Sequence, residues 1–175
     1  MLNGFFRSWV FAPEEVVSRN VVRVTGRNFT KLSGLPEQTP PPILFSGQLS
    51  ESSLPPLYTL LIGAFQIVDI WQTKADDNEC GVDFAYGWNT GTFAGCHRLS
   101  VTTLQEGGAS YLRLTLACLS CNPMDDGRRS WVETLGFLSV FHKVYAEVLF
   151  RAVVGDVVTK LEASGARVHP VADHE

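Results

Sequence analysis

Hydrophobic and polar positions alternate along the middle of the chain, and this alternation predicts four β-strands. The four runs lie at residues 64–73, 81–86, 92–103 and 110–120. Turn-forming residues separate them, with Asp-Asp-Asn at 76–78 and Glu-Gly-Gly at 106–108. Turns at such regular spacing predict an antiparallel meander.

The alternation also assigns side chains to the two faces of the predicted sheet. In the last strand four apolar side chains share one face, which we expect to be buried: Leu112, Leu114, Leu116 and Cys118. In the preceding strand His97 shares a face with Leu99 and Val101. The sequence therefore predicts one histidine that points toward the core.

The last third of the chain predicts a long amphipathic helix. Apolar residues recur at intervals of three and four from 131 to 161, in a stripe that includes Tyr145 and Leu149. Ser130 and Glu133 have the spacing of a capping box, and Gly165 is expected to end the helix. Residues 166–175 are expected to form a loose tail, so residues 1–165 form a single predicted domain.

The N-terminal third has a weaker pattern. Its first aromatic residues are expected to form a strand or a short buried segment, and a helix that begins at Ala12-Pro13-Glu14-Glu15 is expected to stop before the β-branched residues at 21–24. Residues 26–56 are rich in Gly, Pro, Ser and Thr, which predicts a long surface connection with one short strand at 43–49. Such a connection is either a lid over a site or a variable insertion.

Together these elements predict an α+β domain in which a curved antiparallel sheet wraps around a long C-terminal helix. Neither element can bury its apolar face alone, and this helix-grip arrangement buries both. A gap between sheet and helix could hold an apolar ligand. We therefore expect a hydrophobic small molecule as the partner of the chain.

Composition and charge exclude several classes of protein. The chain has 14 basic and 18 acidic residues, a net charge of −4, and no basic stripe of the kind that binds nucleic acid. It has no apolar run of about 18 residues and no secretory signal pattern, so we expect a soluble, cytoplasmic protein without a transmembrane segment. No nucleotide-binding or metalloprotease motif is present. Cys118-x-x-Cys121 lacks two further zinc ligands, so neither a cofactor nor a metal is expected.

One segment resembles a known signature. Phe84-Ala85-Tyr86-Gly87, followed by Thr90-Gly91-Thr92-Phe93-Ala94-Gly95-Cys96-His97, is similar to the pattern Phe-x-Tyr-Gly then Gly-Thr-x-x-Gly-His of an uncharacterised family of plant and bacterial proteins. The resemblance covers residues 65–165, with Trp88-Asn89 as an insertion, Cys96 inside the Gly-His pair and no acidic pair after the histidine. It implies a fold related to the START-like, or birch-pollen-allergen-like, helix-grip superfamily, whose members bind lipids, sterols and polyketides or act as cyclases without cofactors.

The candidate functional residues are polar or aromatic side chains expected near the internal space. For catalysis, Asp69 and His97 are candidate general bases, and Tyr86 and Tyr145 are candidate hydrogen-bond donors. The candidate ligand-binding residues are Trp71, Asp83, Trp88, Asn89, Arg98 and Phe141. Four of these residues have a structural alternative: Asp69 on the solvent face, His97 bonded to a carbonyl or water, and Trp88-Asn89 as a hairpin connection.

Three functions are compatible with this pattern. The first is binding of a small hydrophobic ligand between sheet and helix. The second is a cofactor-independent cyclase or isomerase that uses the same pocket, so the sequence leaves open whether the protein is an enzyme. The third is a protein-interaction or structural module, for example a homodimer formed through an exposed Trp88 and the Pro-rich connection.

Overall fold

The fold is described from a computed structural model of the chain. It describes residues 1–73, 78–88, 94–124, 131–166 and 168, and for residues 106 and 131–142 it describes the backbone alone. In chain order the helices and strands are α1 (Leu2–Phe6), α2 (Ala12–Thr25), β1 (Leu60–Leu61), β2 (Phe65–Gln72), β3 (Glu79–Gly87), β4 (Ala94–Glu106), β5 (Ala109–Cys121) and α3 (Trp131–Ala163).

The five strands form one antiparallel sheet whose spatial order is the order of the sequence. The predicted meander and the α+β class are therefore confirmed. The turn between β4 and β5 consists of Gly107 and Gly108, with φ angles of 58° and 81°. Two consecutive left-handed residues suit the twist of a tight hairpin, which explains why glycine occupies both positions.

The predicted C-terminal helix is also confirmed, because α3 spans 33 residues. Gly165 has a φ angle of 87° and follows the last helical residue, as expected for a glycine that ends a helix. In the second half of α3 the apolar stripe faces the core, since Leu149 and Val153 are buried and Tyr145 packs against the core. The predicted capping box at Ser130 lies outside the described residues.

The N-terminal segment is part of the core. Of the two structures expected for this region, a strand or a short buried segment, the second is found: helix α1 is buried and packs against α3. Phe5, Phe6 and Phe11 are almost completely inaccessible to solvent. The ring of Phe5 lies 4.9 Å from that of Phe6 and 5.2 Å from that of Phe84 on β3, so the aromatic cluster joins the N-terminus to the sheet.

Two local predictions were wrong. Helix α2 continues through Val21–Val24 to Thr25, because β-branched residues have only a slightly lower helix preference than other residues. The helix ends at Gly26, which adopts a φ angle of 65°. The predicted strand at 43–49 is replaced by a single bridge from Ile43 to Leu61 and a short 3₁₀ turn at Ser46–Gln48. The carbonyls of Ser46 and Gly47 in this turn and of Leu49 directly after it accept hydrogen bonds from the guanidinium of Arg7, which favours a turn over an extended strand.

The two faces of the sheet differ in what covers them. One face, which we call the inner face, carries Ile67, Val82, Phe84 and Leu99, all of which belong to the buried core with α1 and α3. The opposite, outer face carries exposed side chains that include Tyr111 and Leu119.

The predicted inward histidine is found, since His97 lies on the inner face with 5% of its surface exposed. The predicted burial of the leucine face of β5 holds only in part. Leu114 and Leu116 are half-buried, but Leu112 is 46% exposed and Cys118 is exposed as well.

Candidate functional site

A cavity of about 620 Å³ lies between the inner face of the sheet and helices α2 and α3. Most of its lining is apolar, with contributions from Phe5, Pro13, Val17, Phe29, Ala64, Phe65, Leu116, Ala146 and Leu149. A smaller set of side chains can form hydrogen bonds: Glu14, Ser18, Thr30, Tyr86, Trp88, His97 and Tyr145. An apolar cavity with a few convergent polar groups is the usual form of a small-molecule site.

On the sheet side, strand alternation sends Tyr86 and His97 into the cavity. Phe84 and His97 are paired across β3 and β4, and Tyr86 is paired with Gly95. The phenol of Tyr86 lies across Gly95 and its oxygen is 2.6 Å from Oγ of Ser120 on β5. A side chain at position 95 would collide with the Tyr86 ring and with the carbonyl of Leu119, so this hydrogen bond across β4 requires glycine there.

His97 is held in an aromatic and sulfur environment. Its Nδ1 is 3.1 Å from Sγ of Cys118, and its ring centroid is 5.0 Å from that of Tyr86. Although Cys118 as a residue is exposed, partial desolvation of its sulfur atom raises the pKa of the thiol. Burial raises the pKa of Tyr86 to about 12. At neutral pH both groups are therefore protonated. Among the described lining residues, the sheet wall of the cavity thus offers the phenol of Tyr86 and the imidazole of His97 and no carboxylate.

On the helix side, the polar groups are Glu14 and Tyr145. Glu14 lies in the first turn of α2, and its carboxyl lies within hydrogen-bonding reach of the phenol of Tyr145 from α3, whose hydroxyl also lies 3.4 Å from the carbonyl oxygen of Val10. Burial raises the pKa of Glu14, and the hydrogen bond from Tyr145 opposes this shift. Burial and the adjacent carboxyl raise the pKa of Tyr145 well above its usual value, so its hydroxyl remains a donor.

Sequence reasoning missed Glu14 as a site residue, because an acid in the first turn of a helix is explained by the helix dipole alone. The available signal was its set of helical neighbours, although the adjacent residue Glu15 is also an acid. The residues three and four positions away are all uncharged: Val10, Phe11, Val17 and Ser18. Only the placement of α2 against the sheet and α3 directs its carboxyl into the cavity.

Four of the residues singled out from the sequence line the cavity: Tyr86, Trp88, His97 and Tyr145. Trp88 follows the end of β3, is 39% exposed, and pairs with Lys31 in a parallel bridge. Its indole can therefore contact both the cavity and solvent. Asn89 lies outside the described residues, and the side chain of Phe141 is not among those described.

Four others lie on the outer face and do not line the cavity: Asp69, Trp71, Asp83 and Arg98. Asp83 and Arg98 form a bidentate ion pair. The distance from Nε of Arg98 to Oδ1 of Asp83 is 2.8 Å, and the distance from Nη2 to Oδ2 is 2.6 Å. The guanidinium also lies 5.2 Å from the centroid of the Trp71 ring, whose indole N–H donates to Asp83. Arg98 lowers the pKa of Asp83, and Asp83 raises the pKa of Arg98.

Asp69 is directed outward by a β-bulge. Up to Ile67, strand β2 keeps the alternation that places Ile67 opposite Phe84, but the register shifts between Ile67 and Asp69. Asp69 therefore pairs with Asp83 on the outer face, where it is exposed. Without the bulge it would share the face of Ile67. Asp69 therefore does not line the cavity and cannot contact a ligand there.

Within the described part of the chain, no group of three or more His, Cys, Asp or Glu side chains is arranged to hold a metal ion. Cys80, Cys96, Cys118 and Cys121 are free thiols. None of the described helices is long and apolar enough to cross a membrane.

No protein family model, no curated protein and no solved structure matches the chain.

Proposed function

We propose that the protein binds a small, mostly apolar molecule in the cavity between the inner face of the sheet and helices α2 and α3. The observation that supports this proposal is the cavity itself, a space of about 620 Å³ with a largely apolar lining and a few polar groups. Ligand sites typically enclose about 300–1,000 Å³ and have this division of polar and apolar lining.

The polar groups favour a ligand with at least one hydrogen-bonding group. Tyr86 and His97 lie on the sheet wall, and Glu14 and Tyr145 lie on the helix wall. An apolar molecule gains free energy when its surface leaves water, while the fixed polar groups orient it. In this proposal the long helix α3 packs over the inner face of the sheet, as in the helix-grip arrangement that the signature resemblance of residues 65–165 implies.

The proposal is tested by identifying what the protein retains and by blocking the cavity. Purified protein is analysed by native mass spectrometry, then denatured and extracted for small molecules. In parallel, the affinity for an uncharged apolar fluorescent probe such as N-phenyl-1-naphthylamine is measured for the wild type and for Ala146→Phe, which adds a ring to the cavity wall.

Ala163→Phe is the matched control, because Ala163 is exposed on the same helix and does not line the cavity. We expect a retained apolar compound, a probe affinity at least tenfold lower in Ala146→Phe, and an unchanged affinity in Ala163→Phe. Equal affinities in both folded variants, together with an empty extract, would refute binding in this cavity.

A second function, a cofactor-independent cyclase or isomerase, is favoured by one specific observation. His97 and Tyr86 line the same wall with ring centroids 5.0 Å apart, so an imidazole base and a phenol donor could contact one ligand. In such a reaction His97 would remove a proton from carbon beside a carbonyl, Tyr86 would donate a hydrogen bond to the carbonyl oxygen, and the proton would return at another atom.

The enzyme proposal is tested with the compound that is extracted from the protein. The compound is incubated with wild type, His97→Gln and Tyr86→Phe, and isomers of the same mass are separated by chromatography. We expect conversion by the wild type and at least 100-fold slower conversion by His97→Gln, with binding retained. Conversion at the same rate by His97→Gln would reject His97 as the base.

A further inference from the structure

The charge of the cavity lining selects among apolar ligands. None of the described lining residues is a lysine or an arginine, and Glu14 provides the single carboxyl group among them. A ligand that carries a carboxylate or a phosphate would therefore leave water without meeting a basic partner, and would be repelled by an ionised Glu14.

The carboxyl of Glu14 is placed to receive a cation. In the described part of the chain it forms no ion pair, and its hydrogen-bonding partner is the uncharged phenol of Tyr145. Burial raises the pKa of Glu14, which means that ionisation costs free energy while no positive charge is near. A cation in the cavity would offset that cost.

Aromatic rings provide the rest of the environment that an organic cation requires. Phe29, Phe65, Tyr86 and Trp88 line the same cavity as Glu14. The faces of such rings attract ammonium groups. Tyr86 is buried, whereas Phe29 and Trp88 are 40% and 39% exposed and lie where the cavity meets solvent. Carboxylate and aromatic rings together favour a positively charged group over a neutral one.

We infer that the ligand is an apolar amine, whose ammonium group pairs with the carboxylate of Glu14 while its hydrocarbon part fills the cavity. This inference rests on the proposed binding function and names the chemical class of its ligand. Tyr145 holds the carboxyl of Glu14 in position through its hydrogen bond.

The test compares three probes that share one naphthylmethyl group and differ in the attached group: an amine, a carboxylic acid and an alcohol. Affinities are measured by isothermal titration calorimetry at pH 7.5 for wild type, Glu14→Gln and Glu15→Gln. Glu15 is the matched control, because it is the adjacent acid of the same helix but accepts a hydrogen bond from the backbone of Ser46 and does not line the cavity.

We expect the wild type and Glu15→Gln to bind the amine at least tenfold more tightly than the acid and several-fold more tightly than the alcohol. In Glu14→Gln the amine should lose this advantage, while the affinity for the alcohol stays within about twofold. Binding of the alcohol with no preference for the amine, or a preference that survives in Glu14→Gln, would overturn the amine inference and leave the binding function intact. Failure of all three probes to bind would refute the binding function and the inference with it.

Discussion

The inner and outer faces of the sheet both carry polar side chains, but among the described strand residues the ion pair lies on the outer face. On the outer face Asp83 and Arg98 form an ion pair beside Trp71, and half of the arginine side chain remains in water. On the inner face Tyr86 and His97 are bonded to uncharged partners, Ser120 and Cys118. The outer cluster therefore stabilises the sheet, while the inner groups are those that the proposed ligand would contact.

The largest difference in the free energy of unfolding is expected between substitutions of apolar residues on the two faces. Phe84→Ala removes a fully buried ring from the inner face and should lower the free energy of unfolding by about 3–5 kcal/mol. Leu119→Ala removes a side chain that is 69% exposed on the outer face and should change it by less than about 0.5 kcal/mol. Urea denaturation of both variants measures the two values, and equal losses would show that the faces are assigned wrongly.

A smaller loss is expected at the glycine that lets Tyr86 cross β4. Gly95→Ala places a methyl group against the Tyr86 ring and the Leu119 carbonyl, and should cost about 1–3 kcal/mol. Gly155→Ala is the control, because a methyl group there meets no atom and should stabilise helix α3 by about 0.5–1 kcal/mol. If thermal denaturation shows Gly95→Ala to be as stable as Gly155→Ala, the close contact at Gly95 is refuted.

The outer ion pair should give a still smaller, pH-dependent effect. Arg98→Ala is expected to cost about 1 kcal/mol at pH 7, because the bidentate bond is strong but the arginine is half exposed. Since the folded pKa of Asp83 is lowered, this stabilisation is present above the ordinary value of 3.8 and is lost as the pH falls through the folded value.

Unfolding at pH 7 and in acid checks this expectation. Arg151→Ala serves as its control, since the exposed pair of Arg151 with Glu147 should contribute less than about 0.5 kcal/mol. An Arg98→Ala loss that does not shrink in acid would contradict the role of Asp83. Ligand affinity should be unaffected by Arg98→Ala, because the pair lies on the face away from the cavity.

The smallest expected effect concerns Glu14 in the empty protein. The pKa of Glu14 is raised in the folded protein. Its favourable contribution to the free energy of unfolding is therefore present below pH 4.5 and is lost as the pH rises through the folded pKa. Glu14→Gln should therefore be slightly more stable than wild type at pH 7, and the difference should vanish in acid. Melting temperatures across this pH range, with Glu15→Gln as control, measure the effect. Lower stability of Glu14→Gln at pH 7 would indicate that the carboxylate is already compensated.

Periodicity predicted the elements that bury an apolar face, which are the strands of the meander, helix α3 and the inward position of His97. It could not predict the position of Asp69, because strict alternation places Asp69 with Ile67, and the bulge between them reverses the face. Glu14 was missed for a different reason: its local sequence explains it fully as a helix-start acid, and only tertiary packing brings it to Tyr145. Of the site residues chosen by chemical type, some therefore lie on the inner face and line the cavity, and others lie on the outer face.

The most direct test of the central claim is nuclear magnetic resonance of methyl-labelled protein with the neutral naphthylmethyl alcohol. Intermolecular nuclear Overhauser effects locate the ring protons of the probe among the methyl groups. Binding in the cavity should give effects to the methyl groups of Leu116, Ala146 and Leu149 and none to those of Leu119 on the outer face. Effects confined to Leu119, or no effects to the cavity methyl groups at saturating probe, would contradict the proposed binding site.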